Sequence, residues 1–244
     1  FDALPCDIIE PGGDVAWASA DNPRVLEAWK KLYGYKYDDR KPEHVRELIA
    51  AREQVIQAQG DNFPQWVLNQ LGIEYMFANR IAMGRGLSAP RFRWVPFDDA
   101  LLTPVASTSM EDTPDRKAFY GSEGNILKKY LADAGLRVFP PTLNEYVAKV
   151  VTPTLESQKK AGAVAVKFEA AYLRSLDFAT PREDEARRVY ARFGKGGTPS
   201  KVEVLALQDY LFRVIAREAG RLRMAVHLHT GTGCGTYFDV MGAN

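Results

Sequence analysis

The chain has 244 residues, of which 46% are hydrophobic and 26% charged, so it is long and apolar enough to bury a large core. Its 32 Lys and Arg residues against 31 Asp and Glu residues leave a formal net charge of +1, which gives no basis for nucleic acid as a partner. No run of about 18 apolar residues occurs, so a membrane-spanning helix is not expected.

Two cysteines, Cys6 and Cys234, lie near opposite ends of the sequence. This spacing fits neither a disulfide framework nor the paired ligands of a structural zinc site. It favours a reducing compartment, and we expect a cytoplasmic protein. The sequence begins with Phe1 and not with Met. A removed leader peptide therefore stays an open alternative.

The first third of the chain, about 22–72, has the pattern of helices. Asn22 and Pro23 are typical of a helix start, and apolar residues at helical spacing follow as far as Gly34. A second helix is predicted over Pro42–Gln59. A third is predicted over Phe63–Leu71, ending before Gly72.

After Gly72, two runs rich in aromatic and β-branched residues, 73–78 and 92–97, are typical of strands. A third run, 163–168, consists mostly of small and β-branched residues and predicts a buried strand. A fourth strand is predicted over 224–229.

Helices are predicted between these strands, over 126–134, 143–160, 183–193 and 201–222. The stretch 104–122 lacks a periodic pattern, and it is either a functional loop over a site or disordered. Strands separated by helices indicate parallel βαβ units. In such units polar residues at the carboxyl ends of the strands are the candidates for a site.

His227 and His229 are two residues apart on the fourth predicted strand, so their side chains should leave the same face. Thr230 and Gly231 follow at the carboxyl end of the strand. Neutral imidazoles in that place are natural ligands for zinc or a similar divalent ion. The alternative is that both are core histidines without a metal.

Lys167 and Glu169 have the same spacing at the end of the third predicted strand. A lysine there binds a substrate carboxylate or takes part in proton transfer, or the two residues form an internal ion pair of structural importance. Tyr172 and Arg174 follow where a loop would line a pocket, and Arg174 suits an anionic substrate group.

The segments 166–172 (VKFEAAY) and 227–231 (HLHTG) together resemble the amidohydrolase-related family that includes uronate-isomerase-like members. The resemblance implies a distorted (β/α)₈ TIM barrel, an α/β fold that binds one or two divalent metals. It also implies that His229 is a metal ligand and that Lys167 faces the site. His227 would then point deeper, where it supports the ligand or binds substrate.

The family's other metal ligands, including a first-strand histidine pair, have no counterpart in these 244 residues. The resemblance therefore implies that residues 1–244 form a single, partial TIM-barrel domain, cut at both ends, with a helical segment at about 22–72. The alternative is a complete domain whose only metal pair is His227 and His229.

The function expected from the resemblance is a metal-dependent hydrolase, in which zinc or manganese activates water against a carbonyl-type bond of a small, anionic substrate. Lys167 and Glu169 are then catalytic, and Tyr172 and Arg174 bind substrate. A sugar-acid isomerase and a non-catalytic barrel remnant are the alternatives. We expect a small-molecule substrate and neither nucleic acid nor membrane as partners, and a homo-oligomer is left open.

Overall fold

The computed structural model describes residues 23–180 and 182–230. The described residues group into two compact units. The N-terminal unit comprises 23–78 and 82–93, and the C-terminal unit comprises 79–81, 94–180 and 182–230. The prediction that residues 1–244 form one domain stays a prediction. Cys6, Cys234 and the glycines from Gly231 onward lie outside the described residues.

The N-terminal unit contains the three predicted helices, which are thereby confirmed: α1 (Pro23–Tyr33), α2 (Pro42–Gln59) and, after a 3₁₀ turn, α3 (Phe63–Leu71). Gly72 ends α3 in the left-handed conformation, with φ 71°, and its amide donates to the carbonyl groups of Leu68 and Asn69. Glycine is suited to this position because it has no Cβ to clash.

His44 belongs to an aromatic cluster in this unit. Its ring stacks on Tyr37 with 3.4 Å between centroids, and its Nδ1 lies 2.5 Å from Asp39 Oδ1. Tyr37 in turn packs edge-on against Tyr35. The contacts of His44 are therefore those of a packing residue.

Strands β1 (Met76–Asn79) and β2 (Phe92–Val95) pair in a two-stranded parallel sheet. The amide of Met76 donates to the carbonyl of Arg91 at 2.8 Å, and the amide of Arg80 donates to that of Val95 at 3.2 Å. β2 falls inside the predicted run 92–97, whereas β1 overlaps the predicted run 73–78 and extends one residue beyond it.

The C-terminal unit contains most of the remaining elements. Its helices and strands are α4 (Pro114–Asp133), α5 (Leu143–Tyr146), a π-helical segment (Val147–Val151), α6 (Thr152–Lys160), β3 (Ala165–Phe168), α7 (Glu183–Phe193), α8 (Lys201–Arg221) and β4 (Ala225–Leu228). Short 3₁₀ turns lie at Asp99–Leu102, Thr108–Met110 and Ala170–Tyr172. The helices predicted at 143–160, 183–193 and 201–222 are confirmed.

The stretch 104–122, predicted to be irregular, instead contains a 3₁₀ turn and the first half of α4. Thr113 caps this helix, because its side chain accepts a hydrogen bond from the amide of Arg116 at 3.3 Å. Gly121, Ser122 and Gly124 lie inside the helix and have poor helix propensity. For this reason the sequence pattern did not predict the first half of this helix.

Three parallel segments of the C-terminal unit lie side by side. In β3 and β4 the partners run from Ala165 opposite Ala225 to Phe168 opposite Leu228. On the other side of β3, the amide of Val164 donates to Trp94 O at 3.0 Å. The carboxyl ends of the three segments therefore meet at one edge, which we call the carboxyl edge: residues 96–99, 167–172 and 227–230.

The two faces of β3 and β4 differ in character. Val166 and Phe168 are fully buried in the main apolar core, and Val226 packs against it. Helices α6 and α8 supply much of that core through Leu155, Leu207, Leu211 and Ile215. By alternation, Lys167 and His227 leave the opposite face, where they are half-buried.

The predicted (β/α)₈ TIM barrel, complete or partial, is wrong. A barrel of this kind closes eight parallel strands on themselves. The described residues hold four short strands in two two-stranded parallel sheets, with single bridges from Trp94 to Ala163 and from Phe97 to Lys167. A sequence of strands separated by helices predicts that the strands run parallel and that helices cover the sheet. Many α/β folds share these features, and the pattern does not predict that the sheet closes into a barrel.

Among the helices that the structure describes, none combines the length and the apolar character that a membrane crossing requires.

Candidate functional site

Four polar side chains are arranged along one face at the carboxyl edge. Lys167 lies opposite His227 in the parallel register. Glu169 and His229 follow two residues later in the same alternation, and the amide of His229 still donates to Phe168 O at 2.9 Å. All four residues are half-buried. The structure thus brings together the residues that the two-residue spacings predicted to share a face.

Tyr172 completes this group by contacting His229. The phenol oxygen of Tyr172 lies 2.8 Å from His229 Nε2, and the two rings are stacked with centroids 4.7 Å apart. The 3₁₀ turn after β3 brings the tyrosine back to the edge, because its amide donates to Glu169 O at 2.9 Å. The ring of Tyr172 also stacks on the ring of Phe119 in α4, with 5.3 Å between the centroids.

Glu169 has the electrostatic character of a proton-exchanging group. Burial raises the pKa of its carboxyl to about 7, and the positive charge of Lys167 acts in the opposite direction. A carboxyl with this pKa is divided between acid and carboxylate near neutral pH. Burial, followed by the charge of Glu169, raises the pKa of Tyr172 to about 12, so its hydroxyl keeps its proton.

Three further carboxyl groups are buried near the carboxyl edge, and the sequence pattern did not indicate them. Asp98, Asp99 and Glu123 are 0%, 2% and 8% exposed. One oxygen of each, Oδ2, Oδ1 and Oε2 respectively, has no hydrogen-bond partner. The available sequence signal was a pair of acids placed directly between the strand at 92–95 and the apolar run of residues 100–102.

Burial dominates the ionisation of these three acids. It raises the pKa of Asp98 to about 7, although Gln158 Nε2 donates to Asp98 Oδ1 at 2.7 Å. Burial also raises the pKa of Asp99 and of Glu123 well above the ordinary range, and the neighbouring carboxylates raise both further. The group therefore resists ionisation around neutral pH.

Arg174, predicted to bind substrate, points into the protein. Its guanidinium is 3% exposed, its Nη2 lies 2.6 Å from Asp209 Oδ1, and it covers the ring of Phe178 at 4.3 Å. The contact between Arg174 Nη2 and Asp209 Oδ1 is an ion pair, and its geometry is not that of a hydrogen bond. Further bonds run to the carbonyl oxygens of Ser175 and Asp177. The structure does not bring Arg174 to the face that carries Lys167 and Glu169.

The predicted metal ligands lie beside a tyrosine and a lysine. Within residues 23–180 and 182–230, no three or more His, Cys, Asp and Glu side chains are grouped so that they could hold an ion. His229 Nε2 is engaged with Tyr172, and the cross-strand neighbour of His227 is a lysine, whose positive charge opposes a cation. A zinc or manganese site at His227 and His229 stays a prediction of the sequence.

No family model and no curated protein matches this chain. The resemblance to the amidohydrolase-related family therefore stays a prediction.

The ion pair between Arg174 and Asp209 makes the structural role of Arg174 testable. Replacement of Arg174 by Ala leaves Asp209 buried without its partner, and we expect the free energy of unfolding to fall by about 3–5 kcal/mol. Arg188→Ala is the control, since this arginine is 71% exposed in its pair with Asp184. Its loss should change the stability by less than about 1 kcal/mol. Equal urea-unfolding midpoints for the two variants would contradict the role.

The buried acids predict a stability that decreases as the pH rises. The pKa of Asp98 is raised in the folded chain, so its contribution to stability is complete below its ordinary value of 3.8 and is lost as the pH rises to about 7. Asp98 alone should lower the free energy of unfolding by roughly 2–3 kcal/mol between pH 5 and pH 8. Asp98→Asn keeps an acceptor for Gln158 and removes the proton. Urea unfolding should show a smaller pH slope for this variant, and an unchanged slope would contradict the assignment.

Proposed function

We propose that this protein is an enzyme that hydrolyses a carbonyl-type bond of a small, anionic substrate at the carboxyl edge. The observation that carries the proposal is the half-buried carboxyl of Glu169, with a pKa of about 7, on the same face as Lys167 and the Tyr172–His229 pair. Perturbed titratable groups that converge at the ends of parallel strands are typical of catalytic sites.

Glu169 serves as the general base and then as the general acid. Its carboxylate removes a proton from a water molecule while the water oxygen attacks the substrate carbonyl. The resulting carboxylic acid returns that proton to the leaving group as the bond to the carbonyl carbon breaks. Water is consumed and Glu169 is regenerated. A pKa near the working pH makes both transfers efficient.

Tyr172 stabilises the oxyanion that forms during the attack. When the proton of His229 is on Nε2, the imidazole donates to the phenol oxygen, and the hydroxyl proton of Tyr172 is directed to the substrate oxygen. The high pKa of Tyr172 supports this role, because the hydroxyl remains a donor through the neutral range. His229 then orients Tyr172.

Lys167 supplies the positive charge that selects an anionic substrate. Lys167 is half-buried as a residue, whereas the guanidinium of Arg174 is taken up by internal contacts. An ammonium group binds carboxylates as a flexible point charge. We therefore assign recognition of a substrate carboxylate to Lys167 and not to Arg174.

The central test replaces Glu169 by Gln, which keeps the shape of the side chain and abolishes proton exchange. The assay is turnover of small carboxylated amides, esters and sugar-acid lactones in ¹⁸O-labelled water. We expect kcat to fall by about 10²–10⁴-fold. The kcat/KM of the unmodified enzyme should rise with pH through about 7 as Glu169 ionises. Glu156→Gln, at an exposed position, is the matched control.

Three outcomes would count against this proposal. Equal turnover by the Glu169→Gln variant would remove Glu169 from the mechanism. A product without solvent oxygen would favour the sugar-acid isomerase, because isomerisation moves one proton between neighbouring carbons and one between their oxygens without adding water. No turnover of any of these compounds by the unmodified protein would favour the non-catalytic alternative.

A metal-dependent form of the same hydrolase is the second candidate. It is supported by the position of His227 opposite Lys167 and of His229 two residues later at the same edge. Elemental analysis of the purified chain tests it. This candidate predicts close to one zinc or manganese ion per chain, lost when both histidines are changed to Ala and retained in His44→Ala. A metal content that is absent, or that the double substitution leaves unchanged, would contradict it.

A further inference from the structure

The end of β3 is held from one side by the segment 96–99. Lys167 donates its amide to Pro96 O at 2.8 Å and accepts from the amide of Asp98 at 2.9 Å. These two bonds continue the parallel ladder. The next bond is different, because the amide of Glu169 donates to the side chain of Asp99, at Oδ2, over 2.8 Å.

This change of partner has a structural cause. The chain turns into the 3₁₀ helix Asp99–Leu102 directly after Asp98, so it no longer runs beside β3. An amide left unpaired in a buried place costs free energy, and the Asp99 carboxyl takes the position of the missing carbonyl. Asp99 is 2% exposed, so water is excluded from this bond.

The choice of an acid at this place is informative. An amide or a hydroxyl group accepts the same hydrogen bond at a lower desolvation cost than a carboxyl group. Asp99 also has a second oxygen without a partner, which a purely structural acceptor does not require. Of the groups that Asp99 contacts through its side chain, Glu169 is the one with a proposed chemical role.

We propose that Asp99 is a positioning residue for Glu169: its buried side chain holds the main-chain amide of Glu169 and so fixes where the Glu169 carboxyl leaves the end of β3. This inference rests on the proposed function of Glu169. It adds a residue that touches neither the substrate nor the reacting atoms.

The hydrogen bond from the Glu169 amide to Asp99 depends on whether Asp99 is ionised. A carboxylate accepts a stronger hydrogen bond than a neutral carboxylic acid, so the Glu169 amide senses the charge of Asp99. Other titratable groups face this pair and must be considered with it. They are Lys167 on β3, Asp98 beside the turn, Glu123 and Tyr130 on α4, Tyr120 on the same helix, and Tyr172.

The experiment follows the amide and carboxyl signals of Glu169 by NMR from pH 4 to the highest pH at which the chain stays folded, in the full chain labelled at glutamate. The upper end is left open because burial raises the pKa of Asp99 well above its ordinary value. Glu169→Gln identifies the signals. In the unmodified protein the amide proton should move with two steps, one from Glu169 and one from Asp99. Asp99→Asn keeps an acceptor oxygen and should retain only the first. Asp133→Asn, an exposed acid on α4, should retain both.

Asp99→Ala removes the acceptor, and amide hydrogen exchange at Glu169 should then be at least about tenfold faster than in Asp99→Asn. If the alanine variant does not fold, the comparison of the unmodified protein with Asp99→Asn decides. Identical amide titrations in those two would overturn the proposal. No substrate is needed, so loss of the Asp99 step supports the proposal even where Glu169→Gln leaves turnover unchanged, and in that case the proposed function alone fails.

Discussion

The hydrogen bonds that align the segment 94–98, β3 and β4 in parallel are the constraint on which the candidate site depends. They set Lys167 opposite His227 and bring the three carboxyl ends to one edge. A shift of one residue in this register would turn Lys167 and Glu169 into the apolar core and bring Val166 and Phe168 to the polar face. The core under β3 therefore fixes the site, because it accepts only one register.

The same edge carries an electrostatic cost. Asp98, Asp99 and Glu123 are buried together with few donors, and burial disfavours their charged forms. Packing of α6 and α8 on β3 offsets this, since each large apolar side chain that is fully buried contributes about 1.5–3 kcal/mol. A group of acids held near their neutral state is costly for stability and useful for proton transfer, which is the usual conflict at functional sites.

Much of the local structure follows from the sequence, and the tertiary arrangement does not. Pro and Gly signals marked α1 to α3, and the two-residue spacing predicted that His227 and His229 share a face where β4 ends. The burial of Asp98 and Glu123 depends on which helices pack over them, and the inward turn of Arg174 depends on Asp209 in a distant helix. Neither fact is contained in a local pattern. The prediction of a TIM barrel came from the resemblance to a known family. A pattern of alternating strands and helices does not specify whether the sheet closes into a barrel.

The short distance from Gln158 to Asp98 has a mechanical consequence. Gln158 lies in the last turn of α6, while Asp98 is joined through its amide to the carbonyl of Lys167. Helix and edge are thereby coupled by two successive hydrogen bonds, without an intervening mobile side chain at the surface. A small displacement of α6 along its axis, for instance at the wide π-helical segment before it, would therefore also shift the main chain at Lys167.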